Sequence, residues 1–103
     1  MLTQEQITLL IKSNGYIVMD RELRSELRRQ LAELLKYFTE DNPKEVSIKL
    51  DKDDYPTNME EPVITTCWKN GDYLYFQIKD YGTPTEFDGF STMELIHIYK
   101  HII

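Results

Sequence analysis

The stretch 63-VITTCWKNGDYLYFQIK-79 decides the fold. Two runs rich in β-branched and aromatic residues, Val63–Lys69 and Asp72–Lys79, flank Asn70-Gly71, a dipeptide suited to the positive φ angles of a type I′ turn. A hairpin with a two-residue loop is expected. Its register predicts Lys69 opposite Asp72, Trp68 opposite Tyr73, Cys67 opposite Leu74, Thr66 opposite Tyr75 and Thr65 opposite Phe76.

Upstream of the hairpin, Val46, Ile48 and Leu50 alternate with Glu45, Ser47 and Lys49, the pattern of a strand with one dry and one wet side. Before it, Leu23, Leu27, Leu31, Leu34, Leu35 and Phe38 recur every three or four residues, predicting a helix capped by Asp20 and ended by Thr39–Pro43. Tyr16–Met19 is a brief apolar run, read as a short strand. Thr3 and Gln6 have capping-box spacing, and Ile7, Leu10 and Ile11 follow at helical offsets up to Asn14-Gly15, predicting a first helix. Downstream, Ser91 and Glu94 form an S-x-x-E box opening a last helix with Leu95, Ile98, Tyr99 and Ile102 along one side. The predicted class is α+β: a small antiparallel sheet of three strands, four if Tyr16–Met19 joins, with three helices in the order α-(β)-α-β-β-β-α.

At 103 residues the chain is expected to form one domain, residues 1–103, with about 65% of the unfolded surface buried and no staple required. A composition of 41% hydrophobic and 29% charged residues excludes collagen-like and strongly disordered classes. The net charge is −6, and the excess acid lies late: 6 Lys and Arg against 7 Asp and Glu over residues 1–42, then 6 against 11 over 43–103. Such a balance argues against duplex nucleic acid as a partner, because that affinity rests on neutralising phosphates. Cys67 is the one cysteine, which excludes an intrachain disulfide and a cysteine-based zinc cluster. Met1–Ser13 carries neither an early positive charge nor an apolar run long enough for a signal peptide or a membrane span, so a cytoplasmic protein is expected.

The predicted register assigns Val63, Thr65, Cys67, Leu74, Phe76 and Ile78 to one sheet face and Ile64, Thr66, Trp68, Tyr73, Tyr75 and Gln77 to the other. The first is the natural core. A sheet covered on one side should be polar on its second face, yet Ile64, Trp68, Tyr73 and Tyr75 stand there. Ordinary cross-strand pairing accounts for some of this excess. Rigid aromatics with polar tips also make interface anchors, so these four residues are the candidate interaction face, for a protein partner or for a homodimer. A nucleic-acid stacking platform would need more flanking base than Lys69 and Lys79 supply.

If the first two strands of the sheet pair antiparallel, the connections Asp51–Glu61 and Asp80–Phe90 leave from one end of it. They hold Asp51, Asp53, Asp54, Glu60, Glu61, Asp80, Glu86 and Asp88, with Lys52 the only base. Long acidic loops can hold a hard cation or draw a basic partner, although charge-rich loops are also the ordinary solvated kind. An EF-hand is excluded, since a loop starting at Asp51 would put Pro56 at the glycine position and Pro62 at the bidentate glutamate position. Asp80, Glu86 and Asp88 could supply paired carboxylates, but nothing sets their separation.

Three smaller constellations have plainer accounts. Glu94, His97 and His101 share a helix side at a spacing that could place three ligands near one metal, but an ordinary polar face with two histidines near a helix C-terminus is the favoured account. Cys67 points toward the core, which suits an inert thiol rather than a nucleophile. Arg21, Arg24 and Arg28 share one helix side, but Asp20, Glu22 and Glu26 interleave with them at ion-pair spacing, as for Asp20 with Arg24 and Glu26 with Arg29.

The leading expectation is therefore a small acidic intracellular interaction module without catalytic activity and without a cofactor. The alternative is a ligand- or metal-binding domain, including an enzyme, working from the loops 51–61 and 80–90. A third reading is an acidic mimic of nucleic acid that inhibits a basic protein; its binding would be strongly salt-sensitive.

Overall fold

A computed structural model describes residues 16–51 and 62–103, with residues 16–20 described by backbone alone. The element order is helix α1 (Tyr16–Leu34), strands β1 (Lys44–Lys49), β2 (Val63–Asn70), β3 (Tyr73–Ile78) and β4 (Thr85–Glu86), a 3₁₀ turn (Phe87–Gly89) and helix α2 (Thr92–Ile102). The strands form one antiparallel sheet in the order β1-β2-β3-β4. The class is α+β, as expected, and two helices lie among the described residues. The helix expected over residues 3–13 lies outside them.

Two element assignments change. Tyr16–Met19 is not a strand but the opening of α1, and Asp20 sits inside that helix rather than capping it. A four-residue apolar run has no period of its own. Joined to a long helix, Ile17 and Val18 each cost only about 0.5 kcal/mol in propensity, while propagation adds one hydrogen bond per residue. The sheet's fourth strand comes instead from Asp80–Phe90, expected as a loop, where Thr85 and Glu86 pair with Phe76 and Tyr75.

α1 buries Leu23, Leu27, Leu31 and, just past its end, Leu35, the four-residue spacing that keeps one side of a helix dry. The chain reverses at Thr39–Asn42, whose backbones bond reciprocally at 3.2 and 3.1 Å, and Thr39 Oγ1 accepts a further bond from Asn42 N–H. α2 begins with the expected capping box: Ser91 Oγ accepts from Glu94 N–H at 3.2 Å, and Glu94 Oε1 accepts from Ser91 N–H at 2.8 Å. Both helices pack on one side of the sheet, where the α1 leucines meet Ile48, Ile64, Leu74, Phe76 and Ile78, and Leu95, Ile98 and Tyr99 of α2 complete the core. Phe90 meets Phe76 edge-on at 5.4 Å. Among the described residues, no helix is long and apolar enough to cross a membrane.

The hairpin register differs from expectation. The pairs are Asn70 with Tyr73, Lys69 with Leu74, Trp68 with Tyr75, Cys67 with Phe76 and Thr66 with Gln77. The loop is therefore Gly71-Asp72 rather than Asn70-Gly71. Gly71 has φ +61° while Asp72 keeps a negative φ, the arrangement of a type II′ turn with glycine first. Both strands slide together, so the faces survive near the turn: Cys67, Leu74 and Phe76 point to the helices and Trp68, Tyr73 and Tyr75 away. A bulge between Ile64 and Thr66 then reverses the phase, pairing Ile64 with Ile78.

Candidate functional site

The residues singled out in the hairpin divide under this register. Ile64, expected on the aromatic face, is fully buried in the core because the bulge turns it inward. Trp68, Tyr75 and Tyr73 form a continuous row on the face away from the helices. The Trp68 and Tyr75 rings stack with centroids 5.8 Å apart and 27° between planes, and Tyr75 and Tyr73 follow at 6.3 Å and 36°. The row is graded in exposure: Trp68 is 6% exposed though it lies outside the helix-side core, Tyr75 is half-buried, and Tyr73 is 58% exposed. Stacking at one end fixes the orientation of the ring at the other.

The acidic residues also divide. Leu50 N–H donates to Pro62 O and Lys79 N–H to Val63 O, both at 2.8 Å, so Asp51 and Asp80 leave from the same end of the sheet. Both are exposed, and Asp80 takes a φ of +67° in the turn leaving β3. Asp53, Asp54, Glu60 and Glu61 lie outside the described residues. Glu86 and Asp88 do not belong to that end. They are carried back along β3 and meet the arginines of α1, with Arg28 Nη2 2.6 Å from Asp88 Oδ1, Arg28 Nη1 3.6 Å from Glu86 Oε1 and Arg24 Nη2 3.9 Å from Asp88 Oδ1.

This α1 contact is more than an ion pair. The Arg28 guanidinium lies 4.3 Å above the Phe87 ring, and Arg24 Nη1 donates to Phe90 O at 2.9 Å and to the buried Thr92 Oγ1 at 3.2 Å. Glu86 Oε2 accepts from Asp88 N–H at 2.7 Å and so caps the 3₁₀ turn. Arg24 and Arg28 are thus spent on holding the β4 segment against α1. Of the two ion pairs read from spacing, Glu26 with Arg29 forms. Asp20 is described by backbone alone.

The remaining candidates resolve in local terms. Burial pushes the Cys67 thiol up to about 12, against a small opposing pull from Lys44, so the thiolate is scarce at neutral pH. His97 Nε2 donates to Lys49 O at 2.7 Å and His101 Nδ1 donates to His97 O at 3.0 Å, which fixes a tautomer for each neutral ring. Among the described residues no three His, Cys, Asp or Glu side chains converge as a metal would need.

One feature was missed by sequence reasoning. An open cleft of about 350 Å³ lies where the end of β1 meets α2, lined by Lys49, Leu50, Asp51, Met93, Glu94 and His97. Spacing on α2 put Glu94 and His97 on one side, but no local pattern links them to residues more than forty positions earlier.

Comparison with protein-family models, with curated proteins and with solved structures found no match to this chain.

Proposed function

We propose that this chain is a one-domain, non-catalytic interaction module of the cell interior, whose aromatic sheet face binds a protein partner or a second copy of the chain. The observation that carries the reading is the row Trp68–Tyr75–Tyr73, buried at one end and 58% exposed at Tyr73, on the sheet face opposite the helices. A ring held by its neighbours before binding loses little side-chain entropy on contact, which is how a small aromatic patch supports affinity. A net charge of −6 disfavours a nucleic-acid partner for the same surface. The test is Tyr73→Glu, which places charge at the exposed end of the row and leaves the buried Trp68 alone. Light scattering after size exclusion and affinity capture, on wild type and variant, should show a partner or a dimer lost in the variant. An unchanged mass together with an unchanged set of captured proteins overturns the reading.

A second reading draws on the cleft at Lys49, Asp51, Glu94 and His97: a small ligand or a divalent cation bound beside the acidic connection 51–61. Calorimetric titration with calcium, magnesium, manganese and zinc tests its metal version, and the absence of heat with all four removes it.

A further inference from the structure

α2 sets His97 and His101 about one helical turn apart, so both imidazoles stand on one side of it. Their ring centroids are 4.4 Å apart, with 60° between planes. Each ring is oriented by a backbone carbonyl: Lys49 O accepts from His97 Nε2 at 2.7 Å, and His97 O accepts from His101 Nδ1 at 3.0 Å. A carbonyl only accepts, so each of those nitrogens carries the proton of the neutral ring. The lone pairs therefore fall to His97 Nδ1 and His101 Nε2. His101 is exposed and His97 half-buried, which leaves the pair open to an ion from solvent.

Metal-binding histidines are held in the same way: the nitrogen away from the ion donates to a carbonyl or carboxylate, which fixes both tautomer and ring direction. The spacing of the rings agrees. With each nitrogen about 2.1 Å from a shared ion, two imidazoles at a right to tetrahedral angle hold their centres about 4.5–5 Å apart. The observed 4.4 Å asks only a small outward tilt. We propose that His97 and His101 chelate a late first-row divalent metal ion, copper(II) most tightly, since imidazole suits these ions and copper heads their stability order. Among the described residues no third side chain joins the pair, so water completes the coordination and the ion is exchangeable rather than structural. The site needs neither the aromatic row nor the carboxylates of the cleft, although His97 borders that cleft.

Titration of the full chain with copper(II), nickel(II) and zinc(II), followed by calorimetry and, for copper, by electron paramagnetic resonance, tests the proposal. One ion per chain is expected, copper tighter than nickel or zinc, with two imidazole nitrogens in the copper spectrum. His101→Ala removes an exposed ring and should keep a native circular dichroism spectrum. Its dissociation constant for copper should rise about tenfold or more, and one nitrogen should vanish from the spectrum. Asp51→Asn, which alters the cleft but not the pair, should leave the constant within about twofold of wild type. Copper kept in His101→Ala but lost in Asp51→Asn overturns the proposal and assigns the ion to the cleft of the second reading. So does a wild type that takes up no copper at millimolar concentration, or a copper spectrum that His101→Ala leaves unchanged.

Discussion

Gly71 carries the hairpin through its backbone rather than through contacts. Its φ is +61°, and a Cβ built there meets nothing within 4 Å, so any cost of a side chain is conformational. Gly71→Ala should lower stability by about 1 kcal/mol, the typical penalty of the left-handed region for an L-residue. Asn70, a strand residue opposite Tyr73, should accept Thr with a change under about 0.5 kcal/mol. Urea denaturation of the two variants checks both values, and comparable losses would mean that the turn is centred on Asn70-Gly71 after all. The dipeptide pointed to a hairpin because asparagine and glycine both tolerate positive φ. It left open which pair of Asn70, Gly71 and Asp72 is central, and a glycine placed first, as in type II′, settles that with a single strained position instead of two.

At the scale of elements, the short β4 and its 3₁₀ turn are held to α1 by Arg24 and Arg28, and the two arginines contribute unequally. Arg24 Nη1 is the donor to Phe90 O and to the buried Thr92 Oγ1, so Arg24→Ala leaves acceptors without that partner inside the fold and should cost about 1–3 kcal/mol. Asp88 is 70% exposed, and Asp88→Ala should cost less than about 0.5 kcal/mol despite the 2.6 Å contact with Arg28. Thermal melts at low and high salt separate the cases: the Arg24 loss should persist in salt, and equal losses for the two variants would contradict this assignment. The leucine period of α1, the alternation of β1 and the Ser91/Glu94 box were all readable because each is a local pattern with a local cause. Thr85–Glu86 was not, since two residues have no period, and their pairing depends on Arg24 and Arg28 more than fifty positions earlier. The same limit split the acidic set: Glu86 and Asp88 resemble Asp51 and Asp80 in sequence, and only the return of the chain along β3 separates them. The aromatic row was visible as a face, whereas the inward turn of Ile64 depends on a bulge that no residue near it announces.

For the whole molecule, an acidic chain of net charge −6 must place its carboxylates where ionisation supports the fold, and Glu26 is the clearest instance. Arg29 donates to both Glu26 carboxylate oxygens and Gln30 Nε2 donates at 3.0 Å, so hydrogen bonding to Arg29 first, and to Gln30 second, lowers its pKa from the ordinary 4.5 to about 2. Glu33 is lowered as well, by its hydrogen bond from Lys36, but it lies open to solvent. A carboxyl whose pKa is depressed by folding stabilises the native state fully above its unfolded pKa, and that contribution disappears as the pH falls through the folded value. The window here runs from pH 4.5 down to about 2. With the Glu26 side chain 34% exposed and its arginine partner more so, solvent screening holds the contribution to about 1 kcal/mol or less. Urea midpoints measured across that window should therefore fall with pH in the wild type, and fall less steeply in Glu26→Gln, which keeps an acceptor for Arg29 but has no proton to take up. Slopes that coincide in the two proteins would mean that the Arg29 contact stabilises the ionised carboxyl no better in the fold than in the unfolded chain.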